Sequence, residues 1–138
     1  RMCIATAPDE PLIAEALARC GIDSVFTKIF TCNGVGHGKD EPQIYRAALR
    51  HLGTKKEETI VFEDALYAAR TAKADGFLVA AVSDDHEREQ EALFSLADDV
   101  IDNFSDFDGF WRRTGCRKGQ KRLEPGEGPE AERGEKRR

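Results

Sequence analysis

The sequence has no C-x-x-C pair, no histidine cluster, no long apolar run and no surplus of positive charge over its first 111 residues. The four cysteines, Cys3, Cys20, Cys32 and Cys116, stand apart from one another and from any histidine partner. That spacing excludes a zinc or redox motif and reads as reduced, mostly core thiols in a cytoplasmic protein. Nothing approaches the roughly 18 consecutive apolar residues of a membrane span, and Arg1-Met2-Cys3-Ile4 lacks a signal-peptide layout. No membrane partner is expected. Residues 1–111 hold 11 Lys and Arg against 21 Asp and Glu. So acidic a body excludes nucleic acid as the principal partner, because phosphate backbones are met by basic faces.

What is present suffices for one domain. A chain of 138 residues with 40% hydrophobic content can bury a real core but not two. Apolar strands alternate with amphipathic helices. Met2 to Thr6 reads as a strand, and Asp9 and Pro11 open a helix that stops at Cys20-Gly21. Lys28 to Thr31 is a second strand, and the three glycines of Asn33 to Asp40 make a flexible loop. Pro42 opens a helix with Ile44, Tyr45, Ala48, Leu49 and Leu52 at helical spacing, ended by Gly53. After the strand Ile60 to Asp64 come a helix from Ala65 to Ala74, a strand from Phe77 to Val82, a charged helix from Glu87 to Leu96 and the edge strand Val100-Ile101. Such alternation predicts a parallel sheet with helices on both faces. From residue 112 onward the chain turns basic and nearly devoid of apolar residues, so 112–138 is expected to be a disordered tail.

Ile60-Val61-Phe62-Glu63-Asp64 carries the chemistry. A buried parallel strand that ends in two adjacent carboxylates delivers acid to the edge where open α/β sheets bind ligands. Neighbouring carboxylates repel and lose solvation there, which calls for a cation; oxygen ligands without His or Cys favour Mg²⁺. Thr6 ends the first strand, and Lys39 sits in the glycine loop that leads into a helix. A hydroxyl, an ammonium and a carboxylate pair along one edge suit a phosphate ester with Mg²⁺.

Three stretches, taken together, match a known pattern: Ile4-Ala5-Thr6-Ala7, then Gly38-Lys39-Asp40-Glu41-Pro42-Gln43-Ile44-Tyr45, then Val61-Phe62-Glu63-Asp64-Ala65 with Ala72-Lys73-Ala74-Asp75-Gly76. In order and spacing the chain resembles the C-terminal part of the core domain of a haloacid dehalogenase superfamily hydrolase, of the β-phosphoglucomutase-like kind. The resemblance implies a Rossmann-like parallel sheet over residues 1–111. It implies a Mg²⁺-dependent phosphatase or phosphomutase that acts on a small phosphorylated metabolite through an aspartyl-phosphate. By position it gives Thr6 and Ala7 to phosphate binding, Lys39 to steadying the nucleophile and phosphoryl group, and Asp64, with Glu63 beside it, to the metal. The pattern also calls for an earlier central strand ending in D-x-D-x-T/V and for a cap domain, and neither precedes Thr6. Asp106-Phe107-Asp108-Gly109 is no substitute, because no buried strand leads into it. The chain by itself is therefore expected to be inactive; the alternatives are a noncatalytic phosphate- or protein-binding remnant, or a truncated gene product.

Other motifs fail on their spacing. A P-loop would need Gly at 33 and Ser or Thr at 40, where Asn33 and Asp40 stand, and Lys39 replaces the last glycine of a dinucleotide fingerprint. His37 reads as a loop residue, and His51 and His86 as surface positions. Asp84-Asp85 reads as a strand end and helix cap that could also face the site.

Overall fold

The computed structural model describes residues 1–105 and 107–114. Asp106, Cys116 and residues 115–138, most of the expected tail, lie outside the described residues. The described residues form five strands and six α-helices that alternate except where α3 follows α2: β1 (Ile4–Thr6), α1 (Glu10–Cys20), β2 (Ile29–Thr31), α2 (Cys32–Val35), α3 (Gln43–Leu52), β3 (Ile60–Glu63), α4 (Leu66–Ala74), β4 (Leu78–Val82), α5 (Gln90–Leu96), β5 (Asp99–Ile101) and α6 (Phe107–Thr114). All strand pairing is parallel, as the alternation predicts. The pairing is also divided: β1 and β2 form one sheet, while β3, β4 and β5 form another with β4 in the middle.

The three-stranded sheet is covered on both faces, and its strand alternation decides which residue goes where. Val61, Val79 and Ala81 join the cluster built by Ile44 and Tyr45 of α3, Leu66, Ala69 and Ala72 of α4, and Leu93 of α5. Ile60, Ala80 and Ile101 pack on the other side with Phe110 and Trp111 of α6. Alanines 68, 69 and 72 are wholly buried; with so little side chain they let α4 lie close to the sheet. The smaller sheet is thinly covered, since α1 has no buried residue and Thr31 is the only buried position in either strand. Ala5 and Phe30 nonetheless reach the same cluster as Ile44, so α3 is the element that ties the two sheets together.

Four local expectations are corrected. Cys32–Val35 is helical where a loop was expected, because the Thr31 hydroxyl accepts the Gly34 N–H at 3.0 Å and caps the turn. Asp9 flanks α1 without capping it; its carboxylate accepts from Asn33 Nδ2 at 2.5 Å instead. Helix α5 starts at Gln90 rather than Glu87, since the Glu87 carboxylate is spent on the N–H groups of Leu66 and Glu89. Nor are the three described cysteines fully buried: Cys20 is exposed, and Cys3, just before β1, and Cys32, at the start of α2, are only partly buried. Among the described residues no helix is long and apolar enough to cross a membrane. The last helix runs to Thr114, into the segment expected to be tail.

A half-exposed charge cluster ties α3 to the end of α4. Asp75 receives Arg46 through two nitrogens and Lys56 Nζ at 2.9 Å, with Lys56 also donating to the Asp75 carbonyl. The Arg46 hydrogen bonds, followed by Lys56, hold the Asp75 carboxyl below the usual aspartate range. A group depressed in the folded state stabilises above its unfolded pKa and loses that contribution as pH falls through its folded value. Asp75→Asn should therefore flatten the acid limb of stability below about pH 4. Melting temperatures measured between neutral and acid pH check this, and an acid limb as steep as in the wild type would refute it.

Candidate active site

Glu63 is buried because of its register. It shares a face of β3 with Val61, which looks into the core, whereas Ile60 and Phe62 look towards α6. At 4% exposure a carboxylate there needs donors, or desolvation would be severe. Two donors meet it. Lys39 Nζ lies 2.6 Å from Glu63 Oε1, and the Tyr45 hydroxyl donates to the same oxygen from 2.8 Å. The lysine stem is itself largely covered, with 14% of the side chain exposed. Burial, and then the charge of Glu63, raise the pKa of Tyr45, which keeps the phenol protonated.

Asp64, one residue on, turns outward. Its carboxylate is exposed and makes no hydrogen bond or ion pair with the described residues. It borders an open depression of about 420 Å³ lined by Val82, Ser83, Asp84, Asp85, His86 and Asp102. Glu87, next in the chain to His86, accepts the Leu66 N–H at 3.1 Å, tying the segment after β4 to the start of α4. The backbone N–H of His86, with its ring at 2.9 Å, holds Asp84 below the usual carboxylate range.

Of the residues expected from the sequence, the fold brings Lys39 and Glu63 into contact, while Asp64, next in the chain, faces the open depression. Thr6 and Ala7 end a strand of the other sheet and make no hydrogen bond to these three. His37 pairs with Glu41 at 3.2 Å, and His51 meets the Thr27 hydroxyl at 2.9 Å; neither joins the site. By its helical spacing Tyr45 reads as a core position, yet its hydroxyl is part of the cluster. Ser83 and Asp102 were also missed, although each directly follows the last residue of a parallel strand, β4 or β5, which is the signal that singled out Asp64.

The donor set suits Mg²⁺ better than a caged metal. Among the described residues no three His, Cys, Asp or Glu side chains converge as a metal-binding group. Mg²⁺ keeps several waters and is commonly held by one or two carboxylates together with substrate phosphate. The open carboxylate of Asp64 fits that pattern. Glu63, engaged by Lys39 and Tyr45, fits a place behind it.

Comparison with known proteins gives a consistent result. Residues 1–76 match the haloacid dehalogenase-like hydrolase family. Protein CbbY of Cereibacter sphaeroides is 32% identical over 113 residues, which cover 79% of this chain and 48% of the relative. Glyceraldehyde 3-phosphate phosphatase of Methanothermobacter thermautotrophicus is 30% identical over 95 residues, 66% of this chain and 42% of the relative. A crystal structure of a Thermotoga maritima protein assigned as a β-phosphoglucomutase superposes with a TM-score of 0.65 at 25% identity, covering 73% of this chain and 47% of that one. The chain thus spans about half the length, or less, of the curated relatives it matches.

Proposed function

Since the chain belongs to the haloacid dehalogenase-like hydrolases, we propose that this sheet edge is the phosphate- and metal-holding part of a phosphatase or phosphomutase site for a small phosphorylated metabolite. The observation that carries this reading is the ammonium of Lys39, held 2.6 Å from buried Glu63, whose next residue in the chain is Asp64 with its open carboxylate. An anchored cation and a free acid are what a phosphate ester with a divalent ion requires. In this reading Lys39 offers its remaining N–H bonds to phosphate oxygens and neutralises charge that develops on them. The Thr6 hydroxyl and the Ala7 N–H would add donors from the end of β1, in the other sheet. Asp64 holds Mg²⁺, which when bound would draw negative charge off the phosphate. Glu63 keeps Lys39 in place rather than binding metal itself.

The relatives' names support the substrate class, since one acts on a phosphorylated triose. The free thiols of Cys3, Cys20 and Cys32 agree with a cytoplasmic setting. An aspartyl-phosphate route needs a nucleophile that the matching stretches do not contain, so we read the 138-residue chain as binding phosphate with little turnover of its own. The division of the sheet into two parts favours, as second reading, a noncatalytic phosphate-binding module.

Broadening of the ³¹P resonance of inorganic phosphate by the full chain with Mg²⁺ tests the site. Lys39→Met and Asp64→Asn should each weaken binding about tenfold or more, or roughly 1.4 kcal/mol. Affinity unchanged in both variants would refute the assignment. Turnover of an aryl phosphate that is abolished by chelator and by Lys39→Met would instead refute inactivity of the chain alone.

A further inference from the structure

The Tyr45 ring is 2% exposed, near the start of α3 and against Phe77 with centroids 6.2 Å apart. Its hydroxyl has one proton and two acceptors within reach: Glu63 Oε1 at 2.8 Å, and the Ala68 carbonyl of α4 at 3.4 Å. The carboxylate takes the proton, because charge-assisted bonds are shorter and stronger than those to a neutral carbonyl. Lys39 differs in kind: its ammonium is a point charge on a flexible stem, springing from the connection between α2 and α3. It reaches the same Oε1. A flexible cation stands in one place only if its acceptor is fixed by something else, and the phenol is the rigid donor available.

We propose that Tyr45 is the positioning residue of this site: it fixes the Glu63 carboxylate at the junction of α3, β3 and α4, and the fixed carboxylate sets where the Lys39 ammonium stands. The consequence for phosphate rests on the reading of Lys39 given above. When phosphate draws on Lys39, the phenol stays with Glu63, so the buried charge is never left without a donor. A phenylalanine would fill the same space and fail at both tasks.

The test uses the full chain, ¹⁵N-labelled, at one fixed pH, with the lysine ammonium groups read by ¹H–¹⁵N correlation. Lys39→Met assigns the Lys39 signal by its disappearance. The wild type should show a protected Lys39 ammonium, and Tyr45→Phe should speed its proton exchange by about fivefold or more. Glu63→Gln should produce the same loss, and Tyr45→Phe should add nothing in the Glu63→Gln background. Backbone amide shifts that match the wild type away from the site separate positioning from loss of fold. If Tyr45→Phe does not fold, fluorotyrosine labelling replaces it: the Tyr45 ¹⁹F signal must then move in both Glu63→Gln and Lys39→Met. No protected Lys39 ammonium in the wild type, an unchanged Lys39 signal in Tyr45→Phe, or an unmoved ¹⁹F signal overturns the proposal. Failure of the phosphate reading looks different, since Lys39→Met would then leave phosphate broadening intact while the Lys39 signal still depended on Tyr45.

Discussion

Lys39→Met should lower the unfolding free energy by about 3 kcal/mol, besides its effect on phosphate. Glu63 is 4% exposed, and the substitution removes its only cationic partner among the described residues while keeping most of the lysine stem's packing. What remains is a buried carboxylate held by the Tyr45 phenol alone. Removing one member of a buried pair costs more than the pair itself contributes, because the partner's desolvation is no longer offset. The 14% exposure of the Lys39 side chain puts the effect near the lower end of the roughly 3–5 kcal/mol that breaking a buried pair costs. Urea unfolding of the full chain measures it. Adding Glu63→Gln to Lys39→Met should recover much of the loss, since the stranded charge is then gone. A loss below about 0.5 kcal/mol in Lys39→Met, the level of an ordinary surface change, would mean that Glu63 is solvated in the folded protein.

Ile44→Ala should cost a similar amount, about 3 kcal/mol, by a different route. The side chain is fully buried and sits in the cluster that also receives Ala5 and Phe30 from the small sheet and Val61, Val79 and Ala81 from the large one. Truncation removes apolar contact and leaves a cavity between the two sheets. The small sheet should suffer first, because α1 contributes no buried residue to cover it. Hydrogen exchange should thus show amides of Ile4–Thr6 and Ile29–Thr31 losing more protection than those of Ile60–Glu63 and Leu78–Val82. Equal losses in both sheets would instead show that the domain opens as one cooperative unit.

The fold class follows from local pattern. Apolar runs such as Ile60-Val61-Phe62 and Leu78 to Val82, separated by helices whose apolar residues recur at helical spacing, permit little besides a parallel α/β arrangement. Gly53 closes α3 at φ 68°, a conformation that glycine adopts freely and other residues do not. Strand ends mark candidate chemistry in the same way, so residue type and position alone make Asp64 a candidate, as the glycine loop does Lys39. Element edges were less legible. A cap depends on which side chain wins a given N–H, and Thr31, Asp9 and Glu87 each chose a partner that a linear reading cannot rank.

Partnership within the site came only from packing. The spacing of Lys39, Tyr45 and Glu63 along the chain carries no hint that an ammonium and a phenol share one carboxylate oxygen, because their meeting depends on how α3 crosses the end of β3. The division into two sheets is likewise a matter of pairing between distant strands, which their composition does not encode. Residue chemistry and periodicity are local properties, readable in a line. The depth at which Glu63 is buried, the partners that burial demands, and the turn that leaves Asp64 open beside it exist only once distant segments are brought together in space.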